Sequence, residues 1–374
     1  MDLVLLVGAL ALILAGAELF TNGIEWFGHK LNLAEGAVGS VLAAVATAMP
    51  ETLIPIIAIL GPILLEGGHA EGSSATEIGV GAILGAPFML ATLAMFVTGI
   101  AIVIFARGGR RETRMRVDVK VLGRDVIFFV VAYGMAIGVA FLPVELHAVK
   151  WIVAAVLFVL YALYVRAHFR DEAAEGDAEE LSRLHLTRLP GMSGSHAVDF
   201  DLLPGEDGEE ERRIGIPRMR VVVSQVLVAL ACIVVGAQVF IGAVTHLSTV
   251  IGLDARILAL IIAPIATELP EKFNSVIWVR SGKDTLAMGN ITGAMVFQSC
   301  IPVVIGLLFT EWLFTPEFAL SFASAGAAFL ATLLIFGNML RRGTLSAWSL
   351  LIGGPIYLVY VVAALFLPVP VVAH

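Results

Sequence analysis

Ten long apolar stretches dominate this chain and leave few folds open to it. They lie at about residues 2–20, 34–65, 77–106, 125–143, 148–165, 221–245, 255–278, 285–310, 317–339 and 345–368. A helix needs about 20 apolar residues to cross the hydrocarbon core of a bilayer. Inside that core every backbone N–H and C=O must find its partner within the protein. The runs are unbroken, whereas barrel strands show alternating segments of about ten residues. Composition agrees: 59% of the 374 residues are apolar and 14% charged, against about 45–50% and 25% in soluble domains. Mean hydropathy is +0.95. A soluble domain, a disordered chain and a disulfide scaffold are excluded. The expected fold is an all-α polytopic membrane protein with ten transmembrane helices and the lipid bilayer as its surroundings. Cys232 and Cys300 both lie in apolar runs and read as small buried hydrophobes rather than a disulfide framework.

The net charge of −8 has a local origin, because residues 167–217 hold 13 carboxylates and 5 Lys/Arg while the rest of the chain balances. A charge run of this kind is a solvated segment and gives no reason to expect a nucleic-acid partner. It divides the chain into residues 1–166 with spans 1–5, an acidic loop at 167–217, and residues 218–374 with spans 6–10. Alternate connectors carry 20 of the 23 Lys/Arg, with Lys150, Arg256 and Lys272 the exceptions. Excess Lys/Arg marks the cytoplasmic side. The expectation is a multi-pass protein of the cell membrane with both termini outside and loop 167–217 cytoplasmic. The first run opens Met1-Asp2 without the basic start of a signal peptide, and is read as a retained span.

The chain also repeats itself. An offset of 220 residues aligns Gly16-Ala17-Glu18 with Gly236-Ala237-Gln238, Phe20 with Phe240, and Ala46-Thr47-Ala48-Met49-Pro50-Glu51 with Ala266-Thr267-Glu268-Leu269-Pro270-Glu271. The offset then becomes 208, where Gly81, Ile83, Gly85 and Ala86 meet Gly289, Ile291, Gly293 and Ala294. Five spans separate the copies, and an odd number inverts the second relative to the first. Two inverted five-helix repeats with helices interrupted near the midplane are a physical signature of secondary transporters. Each copy places a proline and then a glutamate in mid-span. Proline frees a carbonyl in the preceding turn, here near Thr47 and Thr267. Such carbonyls are hard oxygen ligands, suited to sodium or calcium. A carboxylate at the bilayer centre costs about 2.5–3.5 kcal/mol even on the lenient scale, so a matched pair, Glu51 and Glu271, points to a site.

These motifs resemble those of the cation/calcium exchanger superfamily, which includes the sodium/calcium exchangers. Ala46–Glu51 and Ala266–Glu271 are similar to its Gly-Thr-Ser-x-Pro-Glu signature, and Gly289-Asn290-Ile291-Thr292-Gly293-Ala294 to its Gly-Asn-x-x-Gly-Ser motif, with Gly81–Ala86 a weaker copy. The resemblance implies a secondary-active antiporter rather than an enzyme. A cation, calcium first, would exchange for protons or sodium at a site built by spans 2, 3, 7 and 8, while spans 1 and 6 slide as a gate. It implies Glu51 and Glu271 as ligands, with Thr47 and Thr267 through backbone oxygens. Small inorganic cations are then the substrates, and no cofactor is expected. Where the family places Asn or Asp after the Gly-Ser pair, this chain has Pro87 and Met295, and the serine of Thr-Ser is Ala48 or Glu268. The loss of polar ligands favours proton over sodium coupling. It also leaves magnesium, manganese or a monovalent sodium/proton exchange as alternatives, with a passive channel or an intramembrane hydrolase behind them.

Glu268 and Lys272 are four apart and can pair on one helix face, or Lys272 can act as a tethered cation. Asn290 matches a motif position and is assigned to the site. Gln298, one turn past Met295, either replaces a lost oxygen or bonds between helices. Asn274 and Ser275 are expected to solvate an inner vestibule. Glu18, whose counterpart is uncharged Gln238, is expected to pack or gate. The sequence fixes no oligomeric state.

Overall fold

The computed structural model describes residues 2–30, 49–66, 74–109, 111–172, 184–188, 198–202, 213–280 and 282–366. The helices are α1 (Asp2–Lys30), α2 (Met49–Glu66), α3 (Ser74–Met89), α4 (Met95–Arg107), α5 (Val119–Val139) and α6 (Val149–Glu172) in the first half. The second half holds α7 (Met219–Ile251), α8 (Ala255–Arg280), α9 (Asp284–Gln298), α10 (Ile301–Phe309), α11 (Ala319–Arg342), α12 (Ala347–Leu350) and α13 (Gly353–Phe366). Eight stretches are long and apolar enough to span a bilayer, and two shorter apolar helices lie at Thr52–Pro62 and Ala255–Ile265. Those two belong to α2 and α8. Each of the ten apolar runs of the sequence holds helix among the described residues, and the chain is a multi-pass, all-helical membrane protein.

Two compact units make up the chain: residues 1–10, 51–163 and 237–374 form one, and 11–50 and 164–236 the other. In the first, α3 continues through a π-helical turn at Leu90–Ala94 into α4. The span at 285–310 is likewise broken, between α9 and α10, at Ser299–Cys300. The offset of 208 that relates the repeats carries Ala91–Thr92 onto Ser299–Cys300, so the two copies are interrupted at the same place. The prolines of the signature do not break α8, which runs unbroken through Pro264 and Pro270. A missing N–H costs one bond of the ladder, and packing against neighbours can hold the helix together across it.

The same unit is tied at the starts of α5 and α9 by polar contacts. Arg111 grips Asp284 with both guanidinium ends, at 2.7 and 2.8 Å, and donates to the Val279 carbonyl at 2.7 Å. The Arg116 amide donates to the same carboxylate at 2.8 Å. Beside them, residues 114–115 pair antiparallel with 345–346. Two exceptions to the charge asymmetry are satisfied locally: Arg256 binds the Asp254 carboxylate at 2.6 Å and stacks on Phe318, and Lys150 donates to the Thr310 carbonyl at 2.9 Å.

In the second unit the acidic loop is not all linker. Val198–Leu202 and Arg213–Pro217 form an antiparallel hairpin, and His185–Arg188 a 3-10 turn. Buried Leu184 packs with Trp26, Val221 and Val222. The amides of His185 and Leu186 donate to Asn22 Oδ1 (2.9 Å) and Gln225 Oε1 (2.8 Å), and Gln225 Nε2 donates back to Asn22 Oδ1. Glu18 lies 3.3 Å from His185 in this cluster.

Candidate functional site

The site grows from the crossing of α3 and α8. A side-chain carbon at Gly81 would stand 2.3 Å from the Arg256 carbonyl oxygen, and one at Gly85 2.2 Å from that of Leu260. Only hydrogen fits at either position, so two glycines one turn apart bring the backbones into contact, as small residues do at membrane helix crossings. The Leu260 carbonyl has a further peculiarity. Its helical donor would be the amide of residue 264, which is a proline, so the oxygen is open to the approaching Cα–H of Gly85.

Just beyond this crossing lies a small apolar cavity lined by Ile54, Ala82, Ala86, Ala263, Pro264 and Thr267. Ile54 is one turn after Glu51 and Thr267 one turn before Glu271. Residues adjacent to both glutamates therefore line one cavity. Thr267 is 1% exposed, and its hydroxyl donates to the Ala263 carbonyl at 2.9 Å. The carbonyls that lose helical donors to Pro55 and Pro270 are those of Glu51 and Ala266.

Asn290 and Gln298 sit on α9. Asn290 Nδ2 reaches Ser275 Oγ on α8 at 3.4 Å, and that hydroxyl donates to the Ala287 carbonyl at 3.2 Å. Ser275 is fully buried, which corrects the expectation that it solvates a vestibule: it ties α8 to α9 instead. Gln298 is 2% exposed, and its Oε1 has no hydrogen-bond partner among the described residues. A buried acceptor left unpaired costs about 1–3 kcal/mol. Thr47, and the side chains of Glu51, Glu268, Glu271, Lys272 and Asn274, lie outside the described residues. Asp125, which sequence reasoning passed over, is 1% exposed in α5 and accepts from Thr292 Oγ at 2.8 Å. The signal was available, since Asp125 is a carboxylate at the edge of an apolar run. As the first residue of the run 125–143 it was given no role.

The sequence profile described as sodium/calcium exchanger protein matches residues 1–169 and 221–367. The chain belongs to this family. A stretch of 91 residues is 34% identical to an uncharacterized membrane protein of Methanocaldococcus jannaschii, covering 24% of this chain and 30% of that protein. The alignment thus spans under a third of that relative. Among solved structures, the fold is similar to that of the H+/Ca2+ exchanger CAX, with a TM-score of 0.64 at 15% identity over 98% of this chain and 82% of that one. It is similar to native YfkE (0.64, 11% identity, 98% and 92% covered) and to the sodium-calcium exchanger NCX_Mj (0.52, 15% identity, 97% and 98% covered). At such identities the likeness is one of fold. The chain is a membrane protein of the sodium/calcium exchanger family.

Proposed function

We propose that this family member is a secondary-active antiporter that exchanges calcium for protons or sodium by alternating access around Glu51 and Glu271. The observation that carries the reading is that Ile54 and Thr267, each one turn from one of the two glutamates, line the same small cavity. Two carboxylates neutralise one divalent ion. Calcium also wants six to eight oxygen ligands in a flexible arrangement, and the carbonyls freed by Pro55 and Pro270 supply neutral oxygens beside the charged ones. Thr47 and Thr267 contribute through the backbone, Asn290 and Gln298 through their amides, and Glu268 as a third acid. Protonated, Glu51 and Glu271 lose their hold on the metal, so proton binding and metal binding exclude each other at one place. Pro87 and Met295, where the motif would offer side-chain oxygens, weigh against sodium as the partner ion.

The three-part division is carried forward as part of this reading. Residues 1–166 and 218–374 are the two repeats, loop 167–217 lies on the cytoplasmic side of the cell membrane, and both termini are outside. The test is labelled-calcium uptake into proteoliposomes, loaded with sodium in one set and acidified inside in the other, with Glu51→Gln and Glu271→Gln beside the unaltered protein. Uptake driven by the proton gradient and lost in both variants supports the reading with proton coupling. Uptake driven by sodium alone supports it with the other partner. No uptake under either gradient removes calcium as the substrate and leaves magnesium, manganese or a monovalent cation.

A further inference from the structure

Asp125 is a carboxylate almost without exposure on a membrane helix, and nothing in the proposed transport cycle uses it. Its Oδ2 accepts from the Thr292 hydroxyl at 2.8 Å, and Arg124 Nε stands 3.9 Å from its Oδ1. Thr292, itself 1% exposed, lies on α9 two residues past Asn290. Seven residues earlier on each helix, the amide of Asp118 at the start of α5 donates to Thr285 Oγ at 3.0 Å. Seven residues are close to two helical turns, so both contacts lie on one stripe of each helix. The helices therefore run side by side in parallel from a common start.

Two polar contacts on an apolar seam fix rotation as well as translation. A slip of one residue would move α9 by about 1.5 Å and turn it by about 100°, parting the Thr292 hydroxyl from the Asp125 carboxylate and the Thr285 hydroxyl from the Asp118 amide. Buried polar pairs are expensive relative to apolar packing, and their best-attested use is to specify one register. What this register presents is Asn290. Its own contact, to Ser275 Oγ, is long at 3.4 Å, too weak to orient a helix, whereas the Asp125–Thr292 bond is short at 2.8 Å and wholly buried.

We infer that Asp125 is a positioning residue: through Thr292 it sets the rotation of α9 and so the presentation of Asn290 to the bound cation. The inference rests on the reading that Asn290 belongs to the cation site.

The experiment is the calcium-concentration dependence of labelled-calcium uptake in proteoliposomes, normalised to monodisperse folded protein. Thr292→Val removes the hydroxyl at nearly constant volume, and Asp125→Ala removes the acceptor. Thr292→Ser and Asp125→Asn keep a bond. The expected result is a rise of about tenfold in half-saturating calcium for Thr292→Val and Asp125→Ala, the order expected for the loss of one buried hydrogen bond, with maximal rate per folded molecule held. Thr292→Ser and Asp125→Asn restore the affinity, and the double variant is no worse than Asp125→Ala. A residue needed only for folding would lower the melting temperature and the yield while leaving half-saturation in place, and that result overturns the inference. So does an Asp125→Asn as damaging as Asp125→Ala beside a silent Thr292→Val, since charge and not the bond would then matter. If Asp125→Ala does not fold, the Thr292→Val and Thr292→Ser pair decides. Normal transport by Glu51→Gln and Glu271→Gln in the same vesicles would instead sink the site reading. Their loss beside an unchanged Thr292→Val sinks the positioning role alone.

Discussion

Replacing Gly85 by alanine puts the α3–α8 crossing to the test. The added carbon would lie 2.2 Å from the Leu260 oxygen and 2.9 Å from its Cα, against an ordinary contact of 3.4–4 Å. Both obstacles are backbone, so no rotamer change relieves them and the helices must part by about 1 Å, enough to forfeit a quarter to a half of each dispersion contact across the gap. Overpacking of this kind costs about 1–3 kcal/mol. The lost Cα–H contact to the Leu260 oxygen, already without its helical donor, adds about 0.5–1 kcal/mol. Against this stands the gain of about 1 kcal/mol that alanine brings over glycine within a helix. Clash wins, and the net loss is about 0.5–3 kcal/mol. Gly134 on α5 is the control, being exposed with no neighbour within 4 Å of an added carbon among the described residues. Gly134→Ala keeps the propensity gain alone. Denaturant unfolding in detergent should order the proteins Gly134→Ala, unaltered, Gly85→Ala from most to least stable. Because Ala82 and Ala86 move with α3, half-saturating calcium should rise in Gly85→Ala as well. A Gly85→Ala protein as stable as Gly134→Ala would refute the close crossing.

Three further outcomes follow from the geometry. Asp284→Ala or Arg111→Ala, each breaking a buried bidentate pair, should cost about 3–5 kcal/mol singly, with the double variant well short of their sum in an unfolding cycle. Gln225→Leu removes the acceptor of the Leu186 amide and the donor to Asn22 and to the Leu19 carbonyl. Limited proteolysis should then cut near Leu184–Arg188 faster than in the unaltered protein, and equal rates would deny that this turn is fastened by Asn22 and Gln225. Gln298→Leu removes the unpaired buried Oε1. It should hold or raise stability by about 1 kcal/mol while weakening calcium affinity, and an affinity unchanged by the variant would take Gln298 out of the site.

What the sequence shows of this molecule follows from the bilayer. Apolar runs had to be helices because no other open structure satisfies its backbone there, and a duplicated Pro-Glu pair stands out because carboxylates are costly in mid-span. The interruptions were less visible. Prolines suggested breaks near Thr47 and Thr267, yet α8 continues through Pro270, and the second copy is broken instead at Ser299–Cys300, just ahead of Pro302 at the start of α10. Only the 208-residue offset links that break to the π turn at Leu90–Ala94. Tertiary bonds were illegible for a different reason. The Asp125–Thr292 and Arg111–Asp284 pairs join residues 167 and 173 apart, and hydropathy holds no information about such partners. The hairpin at Val198–Leu202 was legible in its alternating Val-Asp-Phe-Asp-Leu but was masked by the acidic composition around it.

The most direct measurement is efflux of trapped labelled calcium from proteoliposomes diluted into medium free of exchangeable cations, followed by addition of acid, sodium or unlabelled calcium outside. An antiporter cannot return empty of charge compensation, so efflux should wait for an added cation, begin when one is supplied, and disappear in Glu51→Gln and Glu271→Gln. Calcium that leaves at full rate with no cation to replace it, or that leaves both variants as fast as the unaltered protein, would contradict exchange around the two glutamates.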